Sequence, residues 1–126
     1  MSEQHKPSPA SVPLQQGHRT YHLVPFEVWE RQKDQPAYLP EMFGQHGFIH
    51  CTDSLDELVA VGNRYYQDDP RTYLVLRIEC DRVESEIVYE DPQQIFPHIY
   101  GPLQTQAVDA VLSVERGGNG RFLAIR

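Results

Sequence analysis

The chain has 126 residues, a length that favours one domain of ordinary size and argues against a two-domain enzyme. Hydrophobic residues make up 40% of the chain, and no apolar run approaches the ~18 residues that a membrane-spanning helix needs, which argues against a membrane protein. The formal charge of -7 opposes binding to the phosphate backbone of bulk DNA or RNA, whereas a pocket for one nucleotide is compatible with it.

The N-terminal segment differs in composition from the rest of the chain. Residues 1–18 mix Ser, Pro, Gln and Lys without apolar periodicity, so we predict a flexible tail there and a single domain over residues 19–126. Two cysteines, Cys51 and Cys80, are too few for a disulfide scaffold. Because no apolar leader segment is found at the N-terminus, a cytoplasmic location is expected.

The first ordered element is predicted to be a strand. Residues 20–24 are β-branched or aromatic and are followed by Pro25. Proline fits the first position of a helix, so a helix is predicted from Pro25 to Gln32, with Phe26 and Trp29 as its buried stripe. The polar segment 33–45 contains two prolines and a glycine and is predicted to be a loop.

A second strand and a longer helix follow. Residues 47–51 are predicted to form a short strand. Ser54, with Glu57 three residues later, predicts a capping box at the start of a helix. The helix is expected to end at residues 68–70. Apolar positions at three- and four-residue steps predict one buried face. Its members are Leu55, Leu58, Val59, Gly62, Tyr65 and Tyr66.

The second half of the chain is predicted to consist mostly of strands. Alternation over 72–78 indicates a half-buried strand, and further strands are predicted over 87–90, 107–114 and 121–125. Residues 96–103 contain two prolines and a glycine, which favours a shaped loop. Because the helices come early and the strands late, the expected fold is α+β with a small, mainly antiparallel sheet and two or more helices.

Histidines supply the candidate chemistry. Each of His22, His50 and His98 alone is typical of a half-buried structural residue, but three of them beside strands and turns point to a common pocket. Tyr100 offers a ring that can stack on a flat ligand, and Glu90 is a candidate general base or ribose-binding carboxylate. Asn63, on the capped helix, is a further candidate ligand contact.

Metal binding and cysteine catalysis are weaker interpretations. A zinc site would need His46, His50, Cys51 and His98, but neighbouring strand residues such as His50 and Cys51 point to opposite faces. No metal is therefore expected. Cys51 has no sequence feature of an activated thiolate, so a small buried hydrophobic residue is the favoured interpretation.

Four segments carry a family resemblance. They are Tyr21-His22, Gly47-Phe48-Ile49-His50-Cys51-Thr52, Asn63-Arg64-Tyr65-Tyr66, and Phe96-Pro97-His98-Ile99-Tyr100-Gly101-Pro102-Leu103. Together they resemble the family called domain of unknown function 952, over residues 20–114. The resemblance implies a fold similar to ADP-ribosyltransferases, in which a split antiparallel sheet holds the nicotinamide and ribose of NAD.

The resemblance also implies roles for particular residues. His22 falls on the first-strand position that contacts ribose, and His50 with Thr52 falls on the second-strand position. The late glutamate of the transferases has no counterpart here, where His98 and Tyr100 stand instead. Glu90 is therefore the best carboxylate candidate.

The resulting hypothesis is an enzyme acting on NAD or an ADP-ribose-like nucleotide. Its catalytic candidates are His50, His98 and Glu90, and its ligand-binding candidates are His22, Thr52, Tyr100 and Asn63. The alternatives are a non-catalytic small-molecule or nucleotide-binding module and, less favoured, a metal-dependent hydrolase. The expected partner is a small molecule rather than bulk nucleic acid or a membrane, and the residues carry no signal of a particular oligomeric state.

Overall fold

The computed structural model describes residues 17–126. Its strands are β1 (Arg19–Pro25), β2 (Ala37–Tyr38), β3 (Ile49–His50), β4 (Tyr73–Glu79), β5 (Glu86–Tyr89), β6 (Pro97–Tyr100), β7 (Leu103–Gln104), β8 (Val108–Arg116) and β9 (Phe122–Ile125). Its α-helices are α1 (Phe26–Gln32), α2 (Phe43–His46) and α3 (Leu55–Tyr65). Short 3-10 helices cover Cys80–Arg82 and Thr105–Ala107. The strands predicted over 20–24, 72–78, 87–90, 107–114 and 121–125 are confirmed to within two residues at each end.

All strand pairings in the described residues are antiparallel. The larger sheet has the order β1-β4-β8-β9, a smaller one has the order β3-β6-β5, and β2 pairs with β7. A bridge between Tyr21 and Thr52 joins the two larger sheets, because each residue's N–H donates to the other's carbonyl, at 3.0 and 2.9 Å. The α+β class with an antiparallel sheet is confirmed, and the bridge places the end of β3 beside β1.

Strand β4 is buried on both faces, so the prediction of a half-buried strand is wrong. Leu76 and Ile78 pack into one core cluster, and Tyr73 and Val75 pack into a second one. The reason is topological. β4 is an inner strand between β1 and β8, and side chains from α3 and β9 belong to the second cluster. Because a core cluster covers each face of β4, the strand does not need a polar residue at every second position.

Helix α1 begins one residue later than predicted and buries a different pair. Pro25 is the last strand residue and the N-cap, and the Phe26 N–H donates to the Thr72 carbonyl at 2.7 Å. Phe26 is 45% exposed, whereas Val28 and Trp29 are buried. The predicted stripe is therefore wrong at Phe26.

Two of the predicted loops contain regular structure. The segment 33–45 holds β2 and most of α2, and Tyr38 in β2 is one of the most buried side chains, at 1% exposure. The segment 96–103 is not a shaped loop but contains β6, the middle strand of its sheet. Proline is tolerated as the first residue of a strand, and the Pro97 carbonyl accepts from the Cys51 N–H at 3.0 Å.

Helix α3 starts at the predicted cap but ends earlier than expected. Ser54 Oγ accepts from the Glu57 N–H at 3.3 Å, and the helix ends at Tyr65. Leu58 and Gly62 are buried as predicted. The periodicity places Tyr65 on the buried face, which is wrong, because this side chain is 66% exposed.

Helix α3 approaches β9 closely at Gly62, which gives a first test of the packing. A Cβ at this position would lie 2.5 Å from the Phe122 ring, closer than carbon atoms approach. We expect Gly62→Ala to lower the free energy of unfolding by about 1–2 kcal/mol, since overpacking exceeds the gain in helix propensity. Urea unfolding measures it, and Gly44→Ala, which meets nothing within 4 Å, is the control. Equal stability of both variants would contradict the close contact.

The N-terminal boundary and membrane prediction can be compared only in part. The predicted tail over residues 1–18 lies outside the described residues except for Gly17 and His18. These two are bonded to the domain: the Gly17 N–H donates to Asp81, and His18 Nε2 lies 2.9 Å from the Tyr89 hydroxyl. No helix within residues 17–126 is long and apolar enough to cross a membrane. The cytoplasmic location stays a prediction.

Candidate functional site

A cavity of about 260 Å³ opens between β1, the segment that carries β2 and α2, and one side of α3. Apolar and aromatic side chains form most of its wall. Those of interest are Tyr38, Met42, Phe48, Leu58, Val61, Tyr65, Tyr66 and Tyr73. The polar residues that line it are His22, Glu41, His46, His50, Thr52, Asp69 and Arg71.

His22 forms an inner part of this wall and is held by two hydrogen bonds. Its Nδ1 lies 2.7 Å from the His50 carbonyl oxygen, which can only accept, so Nδ1 carries the proton. Its Nε2 lies 2.8 Å from the Tyr38 hydroxyl, which then donates to it. Burial lowers the pKa of His22 to about 4, so the ring is neutral at neutral pH. Both ring nitrogens are thus occupied, and His22 fixes the backbone of β3.

His50 faces the cavity from the neighbouring strand. Its Nε2 lies 3.1 Å from His46 Nδ1, and the two rings meet edge to face at 4.9 Å. Partial burial, followed by the nearby imidazoles of His98 and His46, lowers the pKa of His50 to about 4. His46 and His50 therefore present the cavity with an imidazole pair in which His50 is neutral.

His98, Glu90 and Tyr100 form a second cluster that does not line the cavity. Glu90 Oε1 accepts from the Tyr100 hydroxyl and lies 2.9 Å from His98 Nδ1. These two hydrogen bonds lower the pKa of the Glu90 carboxyl. The Phe48 ring stacks on His98 with centroids 3.9 Å apart and an interplanar angle of 13°. Phe48 thus separates this surface cluster from the cavity.

The surface cluster of His98, Glu90 and Tyr100 nevertheless meets the His46 and His50 pair through the β3-β6 pairing. His50 and His98 are register partners, and their rings lie 5.3 Å apart. Three predicted residues, His22, His50 and Thr52, line the cavity. His98 is adjacent to it.

The surroundings of Asn63 and Cys51 indicate structural roles for both residues. The Asn63 amide donates to the Phe122 carbonyl at 3.0 Å and accepts from the Phe122 N–H at 2.6 Å, and Asn63 does not line the cavity. Cys51 is buried, and burial raises the pKa of its thiol well above the usual value. Within residues 17–126 no group of three His, Cys, Asp or Glu side chains is arranged to hold a metal ion.

An ion-pair network at the cavity was not predicted from the sequence. The Arg71 guanidinium is bound on one side by Asp69 and on the other by Glu41. The Tyr73 hydroxyl donates to Asp69 at 2.8 Å. Asp69 and Arg71 fall in the turn after α3, and Glu41 falls in the segment predicted to be a loop. A carboxylate and an arginine two residues apart in a turn are the only local signal of this network.

Comparison with known proteins gives a family and a fold. The sequence model of a family described as "Protein of unknown function (DUF952)" matches residues 23–111. No curated protein gives a significant match. The crystal structure of protein CC0527 from Caulobacter crescentus is similar with a TM-score of 0.70 at 18% identity, covering 83% of this chain and 93% of that chain. Its solution NMR structure gives a TM-score of 0.60 at 18% identity, covering 82% and 90%. At this identity the likeness extends to the fold alone.

Proposed function

The chain belongs to the DUF952 family of proteins of unknown function, and we propose that it binds a small molecule with a flat ring in the cavity beside His22 and His50. NAD or an ADP-ribose-like nucleotide is the leading candidate of this class. The observation that carries the proposal is the composition of the wall, in which tyrosine and phenylalanine rings surround neutral imidazoles.

The chemistry of the wall suits a nucleoside. Aromatic rings gain by stacking on a flat heterocycle. Both nitrogens of His22 are used inside the protein, whereas within residues 17–126 only Nε2 of His50 is paired, with His46, so His50 Nδ1 is the imidazole nitrogen that can bond to a ribose hydroxyl. A cavity of about 260 Å³ is small among ligand pockets, which usually span about 300–1,000 Å³. The nicotinamide and ribose end of NAD fits this volume better than the whole dinucleotide. The remainder would lie across the mouth, beside Met42 and Tyr65, both of which are exposed.

Binding is favoured over catalysis by the state of His50. A general base works best when its pKa lies near the working pH. The pKa of His50 is about 4, so this ring stays neutral at pH 7 and is a weak base there. Its environment therefore suits a hydrogen-bonding partner of the ligand, which favours a non-catalytic binding module.

An enzyme acting on NAD is the second candidate, and the Glu90 and His98 pair favours it. The pair lies outside the cavity, but the His98 ring is 5.3 Å from the ring of His50, which lines it, so this candidate requires part of the substrate to extend over Phe48 to His98. A carboxylate that holds one nitrogen of a histidine orients the other nitrogen for proton transfer. The ADP-ribosyltransferase-like fold and the transferase activity belong to this second candidate. Release of nicotinamide from NAD that is lost in Glu90→Gln would support it, and no release by the unaltered protein would leave the binding function alone.

Tyr65 provides the sharpest test of binding, because it is exposed and lines the mouth of the cavity. Loss of one stacking ring costs about 1–1.5 kcal/mol, so we expect Tyr65→Ala to weaken binding of the ligand about 10-fold. Isothermal titration with NAD, ADP-ribose and nicotinamide riboside measures the affinity. Phe26→Ala removes another exposed ring, one that does not line the cavity, and is expected to leave the affinity unchanged. Absence of binding at millimolar concentrations of all three compounds would contradict the proposal.

A further inference from the structure

The Arg71 guanidinium at the cavity wall has carboxylates on two of its edges. Asp69 accepts from Nε and Nη2 at 3.1 to 3.2 Å and 2.8 Å. Glu41 accepts from Nη1 and Nη2 at 3.1 Å each, one oxygen to each nitrogen. Both edges of the guanidinium are thus used by the protein's own side chains.

The two carboxylates are held very differently. Asp69 also accepts from the Arg71 backbone N–H at 3.0 Å and from the Tyr73 hydroxyl at 2.8 Å. The hydrogen bonds from the Arg71 side chain, and with them these two, lower the pKa of Asp69 and fix its position beside Arg71. Asp69 is therefore the permanent partner that orients the guanidinium.

Glu41 is the exchangeable partner. It reaches Arg71 from the segment between β2 and α2, 30 residues away in the sequence, and its side chain is 43% exposed. Exposed ion pairs typically contribute about 0.2–1 kcal/mol. A ligand that offers two oxygens in one plane can therefore take its place at small cost.

We infer that the Nη1 and Nη2 edge of Arg71 is a binding site for a singly charged, two-oxygen anionic group of the ligand, and that Glu41 covers this site when no ligand is bound. A carboxylate has this chemistry, and so does each phosphate of a dinucleotide, which shares one charge between two free oxygens. The inference rests on the proposed function, since the anionic group belongs to the same molecule whose ring enters the cavity.

The charge balance supports a singly charged group. When a singly charged group takes the place of Glu41 beside Arg71, the guanidinium keeps two singly charged partners. A doubly charged phosphate would place an additional negative charge next to Asp69. The neutral rings of His22 and His50 add no competing cation in the same wall.

Glu41→Gln tests the inference by removing the competing carboxylate. The probes are acetate and dimethyl phosphate, which represent the two sources of such an anion, and the readout is the NMR shift of the Arg71 Nε–H during titration. We expect both probes to bind the variant at least about 5-fold more tightly than the unaltered protein, the factor that corresponds to an ion pair of about 1 kcal/mol. Glu115→Gln, which removes the same charge from a different exposed ion pair, is expected to leave binding unchanged.

The outcomes separate this inference from the proposed function. If Arg71 does not respond to either probe in Glu41→Gln, or if Glu115→Gln has the same effect, the inference is overturned. A response to acetate alone would restrict the site to carboxylates, and a response to dimethyl phosphate alone would restrict it to phosphodiesters. Titration with benzamide and benzoate then compares a flat ring without and with the anion. Equal, measurable affinities in Glu41→Gln would overturn the inference and leave the proposed function standing. A response of Arg71 to acetate, together with no binding of NAD, ADP-ribose or nicotinamide riboside, would support the inference and overturn the function.

Discussion

Replacement of Arg116 by Ala is expected to lower the free energy of unfolding by about 3 kcal/mol, because this side chain joins three parts of the domain. The guanidinium donates to four backbone carbonyl oxygens at 2.8 to 3.2 Å, those of Tyr66, Gln67, Arg71 and Gly120. Two of them follow the last residue of α3, where a positive charge also complements the helix dipole.

The packing of Arg116 adds to the same effect. Its guanidinium carbon lies 4.5 Å from the centre of the buried Phe122 ring and 5.8 Å from that of Tyr73. Hydrogen bonds to a charged group contribute about 1.5–3 kcal/mol each, but water can reach this half-buried site and replace part of them. A total of about 3 kcal/mol therefore counts the loss as roughly one to two such bonds.

Urea unfolding followed by circular dichroism measures this stability. Arg126→Ala is the matched control, since Arg126 is exposed and pairs only with the exposed Glu115 among the contacts described, and its loss is expected to cost less than about 0.5 kcal/mol. Arg116→Met keeps the apolar stem over Phe122 and isolates the hydrogen-bonded part. A loss below about 1 kcal/mol in Arg116→Ala would show that water satisfies the four carbonyls equally well.

The sequence predicts those parts of the fold that have a local signature. Alternating residues over 72–78 locate β4, and the Ser54 cap locates the start of α3. β2 is missed because its strand character comes from a partner far along the chain, and β6 is missed because of its proline. A two-residue strand such as Ala37–Tyr38 forms only because Leu103–Gln104 lies beside it, and proline suppresses the strand signal of Pro97–Tyr100.

The same distinction between local and distant signals applies to the residues of the candidate site. His22, His50 and Thr52 were predictable because they lie on or beside adjacent strands that the sequence indicates, and the fold brings them to one cavity. The Glu41 and Arg71 pair joins positions 30 residues apart, through side chains whose meeting depends on the path of the segment around β2 and α2. No spacing rule describes such a path.

Acidification from pH 7 to pH 4.5 is expected to destabilise the domain by about 2–3 kcal/mol through His22 alone. In the unfolded chain this histidine binds a proton near its ordinary pKa of 6.5, whereas burial keeps the folded form neutral down to about pH 4. Between these values the unfolded state binds more protons, so stability falls as the pH falls. The stabilising contribution of the neutral ring is complete above pH 6.5 and is lost by about pH 4.

The hydrogen bonds of His22 explain why the folded state resists protonation. The Tyr38 hydroxyl donates to Nε2, and a protonated ring cannot accept this bond. His50 shifts in the same direction, but its ring is more exposed and solvent screens its contribution, so we expect a smaller effect from it. The carboxylates with lowered pKa, such as Asp69, act mainly below pH 4.5 and do not disturb this interval.

Comparison with His22→Gln isolates the effect. Glutamine is neutral at every pH used and keeps one donor for the His50 carbonyl and one acceptor for the Tyr38 hydroxyl. Urea unfolding at pH 7 and pH 4.5 then gives, for each protein, the change in the free energy of unfolding between the two pH values. Because only this change is compared, a variant that is less stable at both pH values does not affect the result. We expect the change to shrink by about 2–3 kcal/mol in the variant. An equal change in both proteins would mean that the folded state accepts the proton at His22, with the Tyr38 hydroxyl turned to another acceptor.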